Sequence, residues 1–339
     1  MATHNLNLSG VLSETKRIIN AHSRHFLALS VLFLLPLSFS LIVYPSLSQS
    51  PSSLSHYHQT LFFFSTPDPE TPPIDKPNLV LPILYGFFVL LFSLCATSSI
   101  TYSTFHGFYG RPVKFVSSIK SILYSVVPLI ATLIITQLIV GLIVFAFGGF
   151  TAVVYKGFAL FGIEIDYDNV YFMGFGILIT VLLVGVLVYL QVEWCLSSVI
   201  VVVESQWGFS PLRRSAYLVN GMKCVAFAMI MLFAMLLGFL AMLCSTLVPD
   251  VGGISGGWVS WAFIFQTVVY TGFMTILMLY SVAANAVLYM YCKALKGELA
   301  FEIAEEFAQE YISLPFDDGK YGRKHGSSGL SSIYSPGSQ

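Results

Sequence analysis

The residues best suited to acid–base or metal chemistry are few and scattered in this sequence. A membrane enzyme that acts on lipids needs a nucleophile, an acid–base pair or metal ligands near the membrane surface. The candidates near the ends of apolar segments are Glu193, Glu204, His22, His25 and His106. They show no recognised pairing, and the simplest role for Glu193 is an interfacial ion pair with Arg213 or Arg214. We therefore expect no enzymatic activity and no cofactor.

Two further groups of potential metal ligands lie between the apolar segments. His56 and His58 belong to a Ser- and Pro-rich stretch, residues 45–78, which offers them no additional ligand. A second group alternates along the chain, which aligns its carboxylates on one face of an extended segment: Glu164, Asp166 and Asp168. The spacing of a calcium-binding loop is absent there. We expect no metal site at either place.

The composition of the chain predicts membrane-spanning helices, and these helices position the residues named above. Hydrophobic residues make up 56% of the 339 positions and charged residues only 10%, whereas a soluble domain carries about 25% charged residues. The net charge of −1 favours no nucleic-acid partner. Six apolar blocks each approach or exceed the roughly 20 residues that cross the hydrocarbon: 26–44, 79–100, 122–147, 171–203, 225–247 and 262–292. We expect an all-α, polytopic six-helix transmembrane bundle over residues 26–314, preceded by a cytosolic amphipathic segment, residues 1–25.

The orientation follows from the uneven distribution of Lys and Arg. The N-terminal segment, the second and fourth connections and the tail hold all of these residues except Lys76 and Lys156. Because cytosolic loops carry an excess of Lys and Arg, both termini are expected in the cytosol. The sequence leaves the endoplasmic reticulum, other endomembranes and the plasma membrane as alternatives.

Three basic amphipathic segments precede spans one, three and five. Their apolar residues recur at three- and four-residue steps: Leu8, Leu12 and Ile19; Phe115, Ile119 and Ile122; Leu212, Ala216 and Val219. This pattern is typical of short helices in the headgroup plane. In the third, Ser210 is the expected N-cap and Pro211 the first helical residue. Eight basic side chains are expected to contact the anionic cytosolic leaflet: Lys16, Arg17, Arg111, Lys114, Lys120, Arg213, Arg214 and Lys223.

The fourth block and the tail add features to the cytosolic side. A continuous helix over 171–203 would be about 50 Å long, so we expect one helix that projects into the cytosol. Residues 296–314 form an acidic amphipathic pattern that is predicted to dock on the basic segments, and residues 315–339 are predicted to be disordered. Tyr311 belongs to this helix stripe or, alternatively, to a Tyr-x-x-bulky sorting signal with Leu314.

Polar and small residues within the spans bear on transport. No ionisable residue lies near the middle of a span, which argues against ion-coupled transport. The deepest polar side chains are predicted to bridge helices through hydrogen bonds: Gln137, Gln266 and Asn285. Five glycines are predicted to mark close helix packing: Gly141, Gly174, Gly176, Gly185 and Gly238. The cysteines near cytosolic helix ends are either ordinary small residues or palmitoylation sites: Cys195, Cys224 and Cys292.

The most distinctive stretch runs from Val201 to Ser215, with the sequence VVVESQWGFSPLRRS, and is closed by Asn220-Gly221. With GVLSE at residues 10–14 and LLPLS at residues 34–38, it resembles plant six-span membrane proteins without an assigned function. Some of these carry the label polyadenylate-binding-protein-binding protein. More distantly, the chain is similar to the membrane domain beside bacterial glycerophosphodiester phosphodiesterases. The bacterial catalytic domain has no counterpart here, so the resemblance implies architecture and no catalytic residue.

Three functions are compatible with this sequence. The expected one is a non-enzymatic scaffold, trafficking or membrane-organising role through the cytosolic face, with the bilayer and a cytosolic or membrane protein as partners. An uncoupled transporter or channel for a lipid or a neutral solute is the alternative. A membrane enzyme is disfavoured because the required clusters are missing.

Overall fold

A computed structural model describes residues 7–48, 80–110, 115–160, 170–247, 261–301 and 304. Secondary structure in these ranges is helical throughout, apart from turns. The helices are α1 (Leu8–Ala21), α2 (Ser23–Leu29), α3 (Leu35–Ser48), α4 (Val80–Phe108), α5 (Phe115–Leu160), α6 (Val170–Trp194), α7 (Ser197–Glu204), α8 (Ser210–Val219), α9 (Lys223–Leu247) and α10 (Trp261–Leu295). Within the described ranges, six helical segments are long and apolar enough to cross a membrane. The predicted all-α, six-span architecture is therefore confirmed.

The chain divides into two compact units, Met1–Cys292 and Lys293–Gln339. In the second unit, α10 ends in a turn where Gly297, at φ +75°, donates its N–H to the carbonyl of Ala294. Glycine tolerates this left-handed conformation, which ends the helix. Most of the predicted acidic helix and the tail beyond it, including Tyr311, lie outside the described residues, and the predicted docking of the tail stays a prediction.

The first span is preceded by a separate helix, as the sequence predicts. α1 ends where His22 donates its backbone N–H to the carbonyl of Ile18, and a π-helical turn, Ser30–Leu34, joins α2 to α3. The buried face of α1 consists of Val11, Thr15, Ile18 and Ile19. Of the predicted apolar face, Ile19 belongs to this buried side, while Leu8 and Leu12 are half-buried, and their contact with the headgroup plane stays a prediction. Thr15 faces the core because its hydroxyl bonds back to the carbonyl of Val11, at 2.7 Å.

The second amphipathic segment is not a separate helix. It is the first part of α5, which runs without a break from Phe115 to Leu160. Neither glycine nor proline occurs before Pro128 in α5, so nothing local ends the helix. Phe115 and Ile119 of its predicted apolar face are exposed, and only Ile122 is buried. The prediction of a distinct in-plane helix before span three is wrong.

The fourth span does not continue as one projecting helix. α6 stops at Trp194, and after a two-residue break α7 carries the next apolar run. α7 packs against α4, α5 and α8, with Val201 and Val202 in one cluster with Leu94 and Leu129. Those contacts bury the α7 run inside the bundle. The predicted continuous helix over 171–203 is therefore wrong, whereas its projection into the cytosol stays a prediction.

The packing of the bundle is uneven along its helices. The later half of α10 is buried on nearly every side from Ala283 to Cys292, whereas the most apolar window of Met173–Glu204 contains no buried residue. The five glycines named above lie in open stretches, since an added Cβ would meet no atom within 4 Å at any of them. Their predicted role in close helix packing is wrong within this chain.

Candidate functional site

The densest polar contacts of the first unit lie around α1, α7, α8 and the connection 205–209, which we call the collar. α8 packs against α6 and α7, and α1 packs against α4 and α9. The collar thus joins the ends of several spans. Several of the charged residues named in the sequence analysis lie in or beside the collar, and their contacts differ from one residue to the next.

Ser215 fastens α8 to the break between α6 and α7. Its hydroxyl donates to the backbone carbonyl of Glu193 at 2.6 Å and accepts the backbone N–H of Leu196 at 3.2 Å. Ser215 and Leu196 are both fully buried. A helix interruption leaves backbone donors and acceptors that need partners, and one hydroxyl supplies both. The place of Ser215 at the end of the stretch VVVESQWGFSPLRRS does not predict this role.

The carboxylate of Glu193 joins the end of α6 to the start of α9. It accepts hydrogen bonds from the Tyr189 hydroxyl at 2.6 Å and from Lys223 Nζ at 3.0 Å. Lys223 also lies 5.2 Å from the centre of the Tyr189 ring. The predicted ion pair of Glu193 with Arg213 or Arg214 is wrong. The cation that pairs with this carboxylate is Lys223, the first residue of α9.

Glu204, at the end of α7, receives three different donors. Oε1 accepts the Tyr289 hydroxyl at 2.8 Å, Oε2 accepts Gln206 Nε2 at 3.2 Å, and the guanidinium of Arg214 lies at 3.4 Å. Tyr289 is fully buried in α10. Ser210 donates to Gln206 Oε1 at 2.7 Å, so it does not cap α8 as predicted. The N-cap position is Phe209.

A second polar cluster joins α2, α4 and α5. Nε2 of His25 lies 2.9 Å from Ser103 Oγ and 3.4 Å from Ser118 Oγ. Ser103 donates its own proton to the carbonyl of Ser99 at 2.7 Å. Ser103 Oγ also lies 3.0 Å from Ser118 Oγ, so His25, Ser103 and Ser118 form one hydrogen-bonded cluster whose donors and acceptors depend on the tautomer of His25.

The eight predicted membrane-surface cations fall into different environments. Arg214 and Lys223 bind glutamates, and Arg17 pairs with Glu14 at 2.5 Å. Three others are exposed: Lys16, Lys120 and Arg213. The remaining two lie outside the described residues: Arg111 and Lys114.

Several buried polar atoms of the spans have no hydrogen-bond partner in the described part of the chain. On α4 they are Ser98 Oγ and Thr101 Oγ1, and on α10 they are Gln266 Nε2, Thr271 Oγ1 and Asn285 Oδ1. Gln137 is exposed. The predicted interhelical bridges of these amides are absent here, whereas Ser38 and Thr275 form one at 2.7 Å between α3 and α10. Sequence reasoning missed that pair, because single hydroxyls are common in membrane helices.

The remaining candidate ligands do not assemble. Among the described residues, no group of three or more His, Cys, Asp or Glu side chains could hold a metal ion. The histidines at 56 and 58 and the carboxylates at 164, 166 and 168 lie outside the described residues. Of the juxtamembrane cysteines, Cys292 is buried, Cys195 is half-buried and Cys224 is exposed. An acyl chain can therefore reach only Cys224 without rearrangement of the helices.

Comparison with known families identifies a match over nearly the whole chain. A model described as a domain of unknown function, DUF8558, matches residues 2–315. No curated protein and no solved structure matches. The resemblance to named plant and bacterial proteins therefore stays a prediction.

Proposed function

The chain belongs to the DUF8558 family, and we propose that it is a non-enzymatic multi-pass membrane protein whose collar forms a cytosolic platform. In this proposal both termini lie in the cytosol, and the platform organises the membrane or scaffolds a cytosolic or membrane protein. The observation that carries it is the contrast between the collar and the spans. Hydrogen bonds from buried side chains fix the collar, whereas large parts of the spans expose apolar side chains.

The outward side chains of this platform suit recognition. Lys16 of α1 and Arg213 of α8 are exposed in the collar, and Lys120 is exposed near the start of α5, which packs against α7 of the collar. The carboxylates Glu193 and Glu204 are already bound. The platform therefore presents positive charge to its surroundings. Such a surface favours acidic protein segments and anionic lipids.

Crosslinked capture of the full chain from native membranes tests the proposal. The wild-type chain is compared with a variant that combines Lys16→Glu, Lys120→Glu and Arg213→Glu. Lys156→Glu is the control, because Lys156 is an exposed cation near the opposite end of α5. We expect specific partners to be lost from the triple variant and retained by the control. Equal recovery from all three proteins would contradict a platform role.

Transport of a lipid or a neutral solute is the second candidate. The unpartnered buried atoms on α4 and α10 favour it, because such groups are rare unless water or a ligand satisfies them. Reconstituted vesicles distinguish the two functions. The platform proposal expects fluorescent lipid to cross no faster than in protein-free vesicles. Faster crossing that Asn285→Leu abolishes would support transport instead.

A further inference from the structure

The outer face of α8, together with the connection 205–209 before it, combines one cation with three exposed aromatic side chains. Trp207 is 72% exposed, Phe209 59% and Tyr217 53%, and Arg213 is exposed between them in the sequence. Arg213 and Tyr217 are four residues apart, which places them on the same side of the helix. Aromatic side chains of this kind concentrate where apolar chains meet polar headgroups.

The packing of α8 fixes which face points outward. Its opposite side is buried through Pro211, Leu212, Leu218 and Val219, and Ser215 ties it to the α6–α7 break. The preceding turn approaches α5, where a Cβ on Gly208, at φ +81°, would lie 3.7 Å from Ile135. The aromatic side chains therefore cannot be withdrawn by rotation of the helix without breaking these contacts.

The charge of this face is unbalanced. Glu193 is bound by Lys223 and Tyr189, and Glu204 is bound by Arg214, Gln206 and Tyr289. In the ranges that the structure describes, no carboxylate pairs with Arg213, which leaves its guanidinium for an external anion. A guanidinium fork binds phosphate oxygens in a bidentate manner.

The position of α8 identifies the source of that anion. α8 packs against α6, whose most apolar window contains no buried residue, as expected of a helix that lipid surrounds. α9, another span, starts four residues after α8 ends. The exposed aromatic side chains therefore lie where apolar spans end. We propose that the face formed by Trp207, Phe209, Arg213 and Tyr217 binds the phosphate of an anionic phospholipid headgroup. This inference rests on the membrane platform proposed above.

Retention of defined lipids by the purified full chain tests this site. The probes are phosphatidylserine, whose headgroup carries a net negative charge, and phosphatidylcholine, whose phosphate is neutralised by its own choline cation. Each is followed by native mass spectrometry, with inorganic phosphate as a competitor. We expect Arg213→Gln to reduce phosphatidylserine retention about fivefold, the contribution of one cation near an anionic surface. Arg24→Gln is the matched control, because Arg24 is another exposed arginine without an exposed aromatic neighbour in its helix, and it should change retention little.

A second measurement uses the fluorescence of Trp207. Brominated phosphatidylserine should quench the wild-type chain more than brominated phosphatidylcholine does, and Trp207→Phe or Arg213→Gln should remove the difference. Equal retention of both lipids would overturn the proposal. So would equal losses in Arg213→Gln and Arg24→Gln, or displacement of the lipid by inorganic phosphate at comparable concentration.

The outcomes separate this proposal from the platform. Partner capture that depends on the exposed cations, with phosphatidylserine retention unchanged in Arg213→Gln, would overturn the lipid site alone. Specific phosphatidylserine retention at Arg213 without any captured partner would support the lipid site and contradict the scaffold.

Discussion

The hydroxyl of Ser215 donates a hydrogen bond to the backbone carbonyl of Glu193 at 2.6 Å. The two residues are 22 positions apart, yet this contact sets the geometry of the collar. It allows α6 to end at Trp194 and α7 to turn into the bundle, because the same hydroxyl also accepts the N–H of Leu196. One small polar side chain thereby satisfies the backbone groups at a break in the continuous helix that hydropathy alone favours.

Removal of this hydroxyl should destabilise the chain. In Ser215→Ala, the Glu193 carbonyl and the Leu196 N–H lose their shared partner in a buried environment, which costs about 1–3 kcal/mol. Thermal unfolding in detergent measures the effect. Ser210→Ala is the control, because Ser210 is exposed and its hydroxyl bonds Gln206. Similar midpoints for both variants would argue against the proposed role of Ser215.

The buried hydroxyl of Tyr289 should matter more than an ordinary tyrosine hydroxyl. Tyr289→Phe removes a hydrogen bond to the Glu204 carboxylate, and such bonds to charged groups contribute about 1.5–3 kcal/mol. Tyr280→Phe is the comparison, since no hydrogen bond of Tyr280 is present within the described residues. Denaturant unfolding should shift clearly for the first variant and little for the second. The reverse order would contradict the Glu204 network.

The ion pair between Glu193 and Lys223 should contribute little to stability. Their side chains are 19% and 35% exposed, so solvent screens the attraction, and a coupling of about 0–1 kcal/mol is expected. A double-mutant cycle with Glu193→Gln and Lys223→Gln measures it. A coupling well above this range would mean that the pair is more desolvated than its exposure indicates.

Two glycine substitutions should act in opposite directions. A Cβ on Gly107 would lie 3.1 Å from Cγ2 of Ile18, so Gly107→Ala should loosen α1 against α4. A Cβ on Gly141 would meet nothing within 4 Å, and Gly141→Ala should stabilise α5 by up to about 1 kcal/mol through helix propensity. Thermal unfolding and proteolysis near α1 report both effects. Destabilisation by Gly141→Ala would indicate a close contact with another molecule.

Thiol labelling should separate the described cysteines and test the orientation. Cys224 is exposed and Cys292 is buried, so a membrane-impermeant maleimide should label the first and spare the second until the chain unfolds. If the collar is cytosolic, labelling of Cys224 requires opened cells or inside-out vesicles. Cys224→Ser identifies the signal. Labelling of Cys224 on intact cells would contradict the proposed orientation.

The candidate site was predictable only in part. The basic residues, the separate helices α1 and α8 and the apolar positions Leu212 and Val219 of α8 follow from local periodicity. The structure buries both of these positions. The pairing of charges did not follow, because Lys223 lies 30 positions from Glu193 and Tyr289 lies 85 positions from Glu204. Which cation pairs with which carboxylate depends on how the spans pack. The spacing of residues along the chain does not predict that packing.

The sequence by itself determined that this protein is helical and has six segments able to cross a membrane. That property depends on the hydrophobicity of contiguous stretches of about 20 residues, which the primary structure states directly. Only the tertiary structure decided that α5 continues through its amphipathic start, that α6 breaks before α7, and that Arg213 is left exposed while Arg214 binds Glu204. These outcomes depend on single hydrogen bonds and buried contacts between distant residues, whose energies arise only after the helices have packed.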